Sequence, residues 1–199
     1  MRHLHPISED EMVAVFLQTE IASTRFRSAI LAILQRDGHD RRVIDRPDLS
    51  NETENSYRRQ VLGKHRGYRR NADVFTGVPD HVRWYRALAT PTDLAHVRYI
   101  NYDYWTELSG GSRMATDAAV RIRQGVEAFG VGNGGFWYMA DALQAGATFP
   151  NLILVGEDEN SPLTLLEGHV RLTAYFLRPE YIPETLPIIV GYAKGMANK

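Results

Sequence analysis

The sequence contains no cysteine, so disulfides, thiolate metal ligands and cysteine nucleophiles are all excluded. It also has no apolar run approaching the roughly 20 residues that a membrane-spanning helix requires. The first residues, MRHLHPISEDEM, lack the apolar core of a signal peptide. We found no internal repeat and no coiled-coil heptad pattern. These absences predict a cytoplasmic protein without a membrane partner.

The composition that remains is typical of a globular protein. The 199 residues are 44% hydrophobic and 24% charged, with a formal net charge of −1. A chain of this length is long enough to bury a sizeable core. It therefore predicts one domain of ordinary size, or a domain with an extension.

The small net charge hides a basic segment. Residues 25–70 contain twelve of the 23 Lys and Arg but only six of the 24 Asp and Glu. The densest part, residues 57–70, is called the basic segment below; its cations are Arg58, Arg59, Lys64, Arg66, Arg69 and Arg70. Clustered cations attract phosphate backbones, and interleaved tyrosines stack on bases. Two interpretations stay open: a DNA contact, or a surface that pairs with acids elsewhere in the fold.

The first half of the chain has the features of helices. Ser8 and Glu11 form a capping-box pattern before an apolar repeat at spacings of three and four, which predicts one long amphipathic helix to about Gln35. Residues 36–56 are polar and turn-rich and predict a loop, and the basic segment is expected to be partly helical. A further helix is expected to start at residues 90–93, where Pro91 takes a first-turn position.

The second half mixes short strands with helices. VRYINYDYW, residues 97–105, predicts a strand or an aromatic-packed turn. Two helices closed by glycine are expected within residues 109–125 and 136–146. The end of the chain predicts strand NLILVGEDE, turn NSP, strand LTLLEG, helix HVRLTAYFL and strand LPIIVGYA. The class expected from this order is α+β.

The junction LTLLEGHVRLTAY carries an unusual density of polar chemistry at a strand-to-helix turn. Gly168 relieves the backbone there, and the first amides of the following helix, near His169 and Val170, favour an anion. Arg171 lies on the first turn, where its forked donors suit a phosphate, so we expect its guanidinium to face the same cavity as the amides. Glu167 is the candidate to orient water or a metal ion.

Other residues around the junction each have two possible roles. His169 is either an acid/base group or ligand, or a cap that hydrogen-bonds the backbone. Ser112 and Arg113 follow two glycines and make either a second anion contact or a plain helix cap. The hairpin acids Glu157, Asp158 and Glu159 either complete a metal site with Glu167 or form a solvated turn.

The order of these elements and the motif Gly168-x-x-Arg171-x-x-Ala174 resemble the ParB/sulfiredoxin superfamily. Glu167-Gly168-His169 resembles the acid-Gly-His of the superfamily's free-serine kinases, and DALQAGATFPNLILV resembles its preceding helix, glycine turn and strand. The resemblance implies a small mixed sheet with packed helices that binds a nucleotide, over residues 97–199. Residues 1–96 are then a helical N-terminal extension carrying the basic segment.

The resemblance also implies an activity. Sulfiredoxin chemistry needs a cysteine, so that activity is excluded. This chain has Gly-His-Val-Arg where chromosome-partitioning ParB proteins have Gly-Glu-Arg-Arg, which argues against the partitioning activity. The chain looks most like the stand-alone members, including plasmid effectors of the Osa type. These features imply an ATP-binding phosphohydrolase with Mg²⁺, with DNA cleavage as a further activity. The alternatives are a nucleotide-regulated interaction module without turnover, whose protein partner the sequence does not identify, or a kinase for a free amino acid.

Overall fold

The computed structural model describes residues 1–196 and has the α+β class predicted from the sequence. The helices within these residues are α1 Glu9–Ala22, α2 Arg27–Arg36, α3 Arg42–Asp45, α4 Glu52–Arg66, α5 Pro91–Ala95, α6 Asp103–Leu108, α7 Ala115–Arg123, α8 Gly134–Gln144 and α9 His169–Leu177. The strands are β1 Arg2–Ile7, β2 Arg83–Ala89, β3 Arg98–Tyr99, β4 Leu152–Gly156, β5 Thr164–Glu167 and β6 Leu186–Tyr192.

The chain divides into two compact units. The helical unit is Pro6–Trp84, and the sheet unit is Met1–His5 together with the chain from Tyr85 onward. The sequence placed the boundary after residue 96, whereas the structure assigns residues 85–96 to the sheet unit.

The single long helix expected up to Gln35 is wrong, because the helical unit has two helices there. Ser23 leaves helical geometry, with φ −75° and ψ 133°, and ends α1. The Arg27 guanidinium donates to the carbonyls of Ile21 and Ala22, the last residues of α1, at 3.0 Å each. Terminal carbonyls of a helix have no intrahelical partner, so this side chain stabilises the break.

The loop expected over residues 36–56 contains more helix than the sequence indicated. It includes α3 and the first turn of α4, whose N-cap Asn51 accepts from the amide of Glu54 at 3.1 Å. Helix α4 then continues through most of the basic segment and ends at Arg66, with Gly67 as its C-cap. The prediction that this segment is partly helical is confirmed.

The sheet unit holds a mixed sheet with the strand order β1-β2-β6-β4-β5-β3. Strand β3 is parallel to β5, β4 is antiparallel to β5, and β6 is parallel to β4. The carboxyl ends of β3 and β5 therefore lie at one edge of the sheet, beside the beginning of β4. Helices α6 and α9 follow those two strand ends, so the polar residues at both junctions are brought to this edge.

The core of the sheet unit is built on alternate strand residues. Leu152 and Leu154 of β4 are buried with Ile188 and Val190 of β6, and they join the same cluster as Leu172 of α9. Alternation of this kind places one face of a strand against the packed helices. The strand, turn, strand, helix and strand predicted for the end of the chain are confirmed.

The helices of the described residues, 1–196, are too short or too polar to span a membrane.

Candidate functional site

The candidate site is the junction between β5 and α9. Gly168 is the N-cap of α9 and has φ 109°, in the left-handed region that favours glycine. A Cβ at this position would lie 2.4 Å from Cδ2 of Leu152 and 3.0 Å from Nη2 of Arg171. The sequence folds this way because only glycine satisfies both the backbone geometry and the close packing.

Arg171 lies in the first turn of α9 as expected, but its guanidinium does not face an open cavity. The residue is only 6% exposed. Its Nη1 donates to the carbonyl of Pro150 at 2.8 Å, and its Nη2 donates to Oε1 of Glu167 at 2.9 Å. The guanidinium is therefore enclosed, because Pro150, two residues before β4, and Glu167, the last residue of β5, both accept hydrogen bonds from it. That it shares a cavity with the first amides of α9 stays a prediction.

His169 is packed into an aromatic cluster. The residue is 9% exposed, and its ring stacks on Trp105 with centroids 4.7 Å apart and on Tyr99 at 5.8 Å. Its carbonyl accepts from the hydroxyl of Thr173 at 2.7 Å. The ring is thus held between elements rather than displayed on the surface.

Tyr99 completes the support of His169. Burial raises the pKa of the Tyr99 hydroxyl, so that group stays protonated. It lies 2.6 Å from Oγ1 of Thr173, and because the Thr173 proton is given to His169, Tyr99 is the donor. Sequence reasoning did not assign Tyr99, Trp105 or Thr173 to the site. The aromatic run at residues 97–105 was the signal, since it predicted aromatic packing.

Ser112 and Arg113 lie at the same edge, beside the end of β3. The Arg113 guanidinium donates to the carbonyl of Tyr99 through Nε at 2.8 Å and through Nη2 at 2.5 Å. Burial, and then the nearby charge of Arg98, lower the pKa of Arg113. Ser112 donates to the carbonyl of Ser109 at 3.1 Å and accepts from the amide of Met114. These bonds fix the loop, and an anion contact by either residue stays a prediction.

The basic segment is not a uniform cationic surface. Arg58 is fully buried, and its guanidinium donates to the carbonyls of Val43 and Asp48 at 3.0 Å each and to Glu54 at 3.2 Å. A side chain with no exposed surface cannot contact DNA in this conformation. The assignment of Arg58 to a nucleic-acid surface is corrected accordingly, since the polar carbonyls of the α3–α4 region hold it inside.

The other cations of the segment lie next to acids of the helical unit or over its backbone. The contacts are Arg59 with Asp10 and Glu52, Lys64 with Asp37 at 2.7 Å, Arg66 with Glu20 and Asp73 at 3.3 Å each, Arg69 with Glu9, and the exposed Arg70 over Gly63. Across Pro6–Trp84 there are 13 Lys and Arg against 12 Asp and Glu, a balance of +1. These contacts favour the interpretation of a surface paired with acids. DNA binding and cleavage stay untested predictions.

Asp37 gives one of these pairs a measurable pH dependence. Hydrogen bonds from Arg36 and Lys64 lower its pKa from the ordinary value of 3.8 to about 2. A depressed pKa contributes stability that is present above the ordinary value and is lost as the pH falls toward 2. We therefore expect Asp37→Asn to reduce the loss of stability between about pH 4 and pH 2, measured by chemical denaturation across that range. Asp80 is an exposed acid of the same unit, and Asp80→Asn is the control, which should lose as much stability as the wild type when the pH falls. If Asp37→Asn also loses as much stability as the wild type between about pH 4 and pH 2, the assignment to Asp37 is wrong.

In the described residues, the side chains predicted to bind a metal ion do not form a complete set of ligands. Within residues 1–196, no three or more His, Asp or Glu side chains are grouped so as to hold an ion. Asp158 instead closes the β4–β5 turn, accepting from the amide of Asn160 at 2.9 Å and from the hydroxyl of Ser161 at 2.7 Å. Among the hairpin acids, Asp158 thus stabilises the β4–β5 turn. Metal binding by Glu167 stays a prediction.

The chain was compared with protein-family models, curated proteins and solved structures. None of the three comparisons returned a match.

Proposed function

We propose that the sheet unit binds the phosphates of a nucleotide, with ATP as the first candidate, at the N-terminus of α9 and hydrolyses the terminal phosphate. One observation carries the proposal. Glu167, Gly168, His169 and Arg171 are brought together within one turn, at the edge where the parallel strands β3 and β5 end. The resemblance of this motif to the ParB/sulfiredoxin superfamily supports the same conclusion.

The chemistry of the turn suits a phosphate. The first amides of a helix have no intrahelical acceptor, and Gly168 has no side chain with which to cap them. The helix dipole adds a favourable positive potential at this end. Nη2 of Arg171 lies beside Gly168, so a guanidinium donor and the helix terminus are neighbours. An anion that displaces the Glu167 carboxylate from Nη2 would gain charge-assisted hydrogen bonds from both.

The same residues account for hydrolysis. Glu167 orients a water molecule, whose oxygen bonds to the terminal phosphorus while the bond to the leaving oxygen breaks and a water proton passes to the carboxylate. Arg171 stabilises the negative charge that develops on the phosphate oxygens. Mg²⁺ brought in with the nucleotide would supply further positive charge. Glu167 would hold this ion together with the nucleotide, because Mg²⁺ commonly uses one or two carboxylates together with phosphates.

Nucleotide binding without turnover is the second candidate. It is favoured by the packing of His169, which is stacked on Trp105 and only 9% exposed. A group so enclosed is poorly placed to exchange protons with a substrate. The two candidates share the phosphate site and differ only in the chemistry that follows binding.

A thermal-shift panel tests the shared part. ATP, ADP, CTP and GTP, each with and without Mg²⁺, should raise the unfolding midpoint if they bind the folded state. Arg171→Lys keeps the charge but loses the fork, so it should weaken nucleotide affinity about tenfold. Arg178→Lys, on the residue that follows α9, is the matched control and should bind like the wild type. If millimolar nucleotide shifts no midpoint, the phosphate site is refuted.

Turnover separates the two candidates. If the protein is a hydrolase, Glu167→Gln should bind nucleotide but lose roughly 100-fold or more in hydrolysis rate, as expected on removing a general base. Phosphate release by purified wild-type protein, with Glu184→Gln as a control for an exposed acid, is the measurement. Wild-type protein that binds without releasing phosphate would establish the second candidate, and full activity in Glu167→Gln would clear that carboxylate.

A further inference from the structure

We draw no further inference here: the strongest candidate, the cleft between the start of β1, the end of α5 and the β4–β5 turn, rests on two acidic side chains, Asp93 and Glu159, that already contact Met1 and His3 of the same chain, and no group in the described residues around the cleft indicates a ligand.

Discussion

Arg58→Ala is expected to lower the free energy of unfolding by about 3–5 kcal/mol, the range for removing one partner of a buried charged network. Arg58 is fully buried and bonds the carbonyls of Val43 and Asp48 together with the side chains of Glu54 and Asn55. Alanine would leave these acceptors without their donor and open a cavity the size of a large side chain. Chemical denaturation followed by circular dichroism measures the difference.

The neighbouring arginine provides the control. Arg59 is paired with Asp10 and Glu52 but keeps contact with solvent. Ion pairs that remain accessible to water contribute about 1 kcal/mol or less, so Arg59→Ala should be mild. If the two substitutions lower the free energy of unfolding equally, the buried hydrogen bonds of Arg58 do not stabilise the α3–α4 region as proposed.

Gly168→Ala is expected to destabilise the protein by about 3 kcal/mol, through backbone strain and crowding together. The left-handed conformation at φ 109° is unfavourable for any residue with a Cβ. The new methyl group would also lie 2.4 Å from Leu152 and 3.0 Å from Arg171. Because the crowding presses on the guanidinium, nucleotide binding should weaken in the same variant.

Gly146 separates strain from crowding. It has φ 85°, and a Cβ there would meet nothing within 4 Å. Gly146→Ala should therefore show the conformational penalty alone, about 1 kcal/mol. If both substitutions have the same effect on the unfolding free energy, the close packing around Gly168 does not contribute and the account of this turn is incorrect.

Local patterns in the sequence predicted the last quarter of the fold well. Apolar runs bounded by Gly, Pro and Asn determine β4, β5 and β6, and the threonine before Pro91 caps α5 through a capping box. The first two strands were missed. RHLHPI contains a proline and two histidines, and RWYRALA has no clear alternation, so each becomes a strand only through its neighbours in the sheet.

Part of the candidate site could be predicted from the local sequence, and part could not. The position of Arg171 in the first turn follows from local spacing, and so does its reach to Glu167 four residues earlier. Its second partner, the carbonyl of Pro150, lies 21 residues away in sequence and could not be found from spacing. The burial of Arg58 could not be predicted for a related reason. Two of its acceptors are main-chain carbonyls of Val43 and Asp48, and a carbonyl is present whatever the side chain is.

The two-residue strand β3 has a consequence for association between molecules. It stands at one end of the sheet, where unpaired amides and carbonyls commonly recruit a strand from another chain. Here the amide of Arg98 donates inward to Leu163 at 2.8 Å, and the amide of Tyr99 donates outward to the carbonyl of Arg113 at 2.7 Å. Met114 bridges to Arg98 on that outer side, and the Arg113 guanidinium occupies the Tyr99 carbonyl. The loop that follows α6 thus covers the border of the sheet and protects it from edge-to-edge polymerisation.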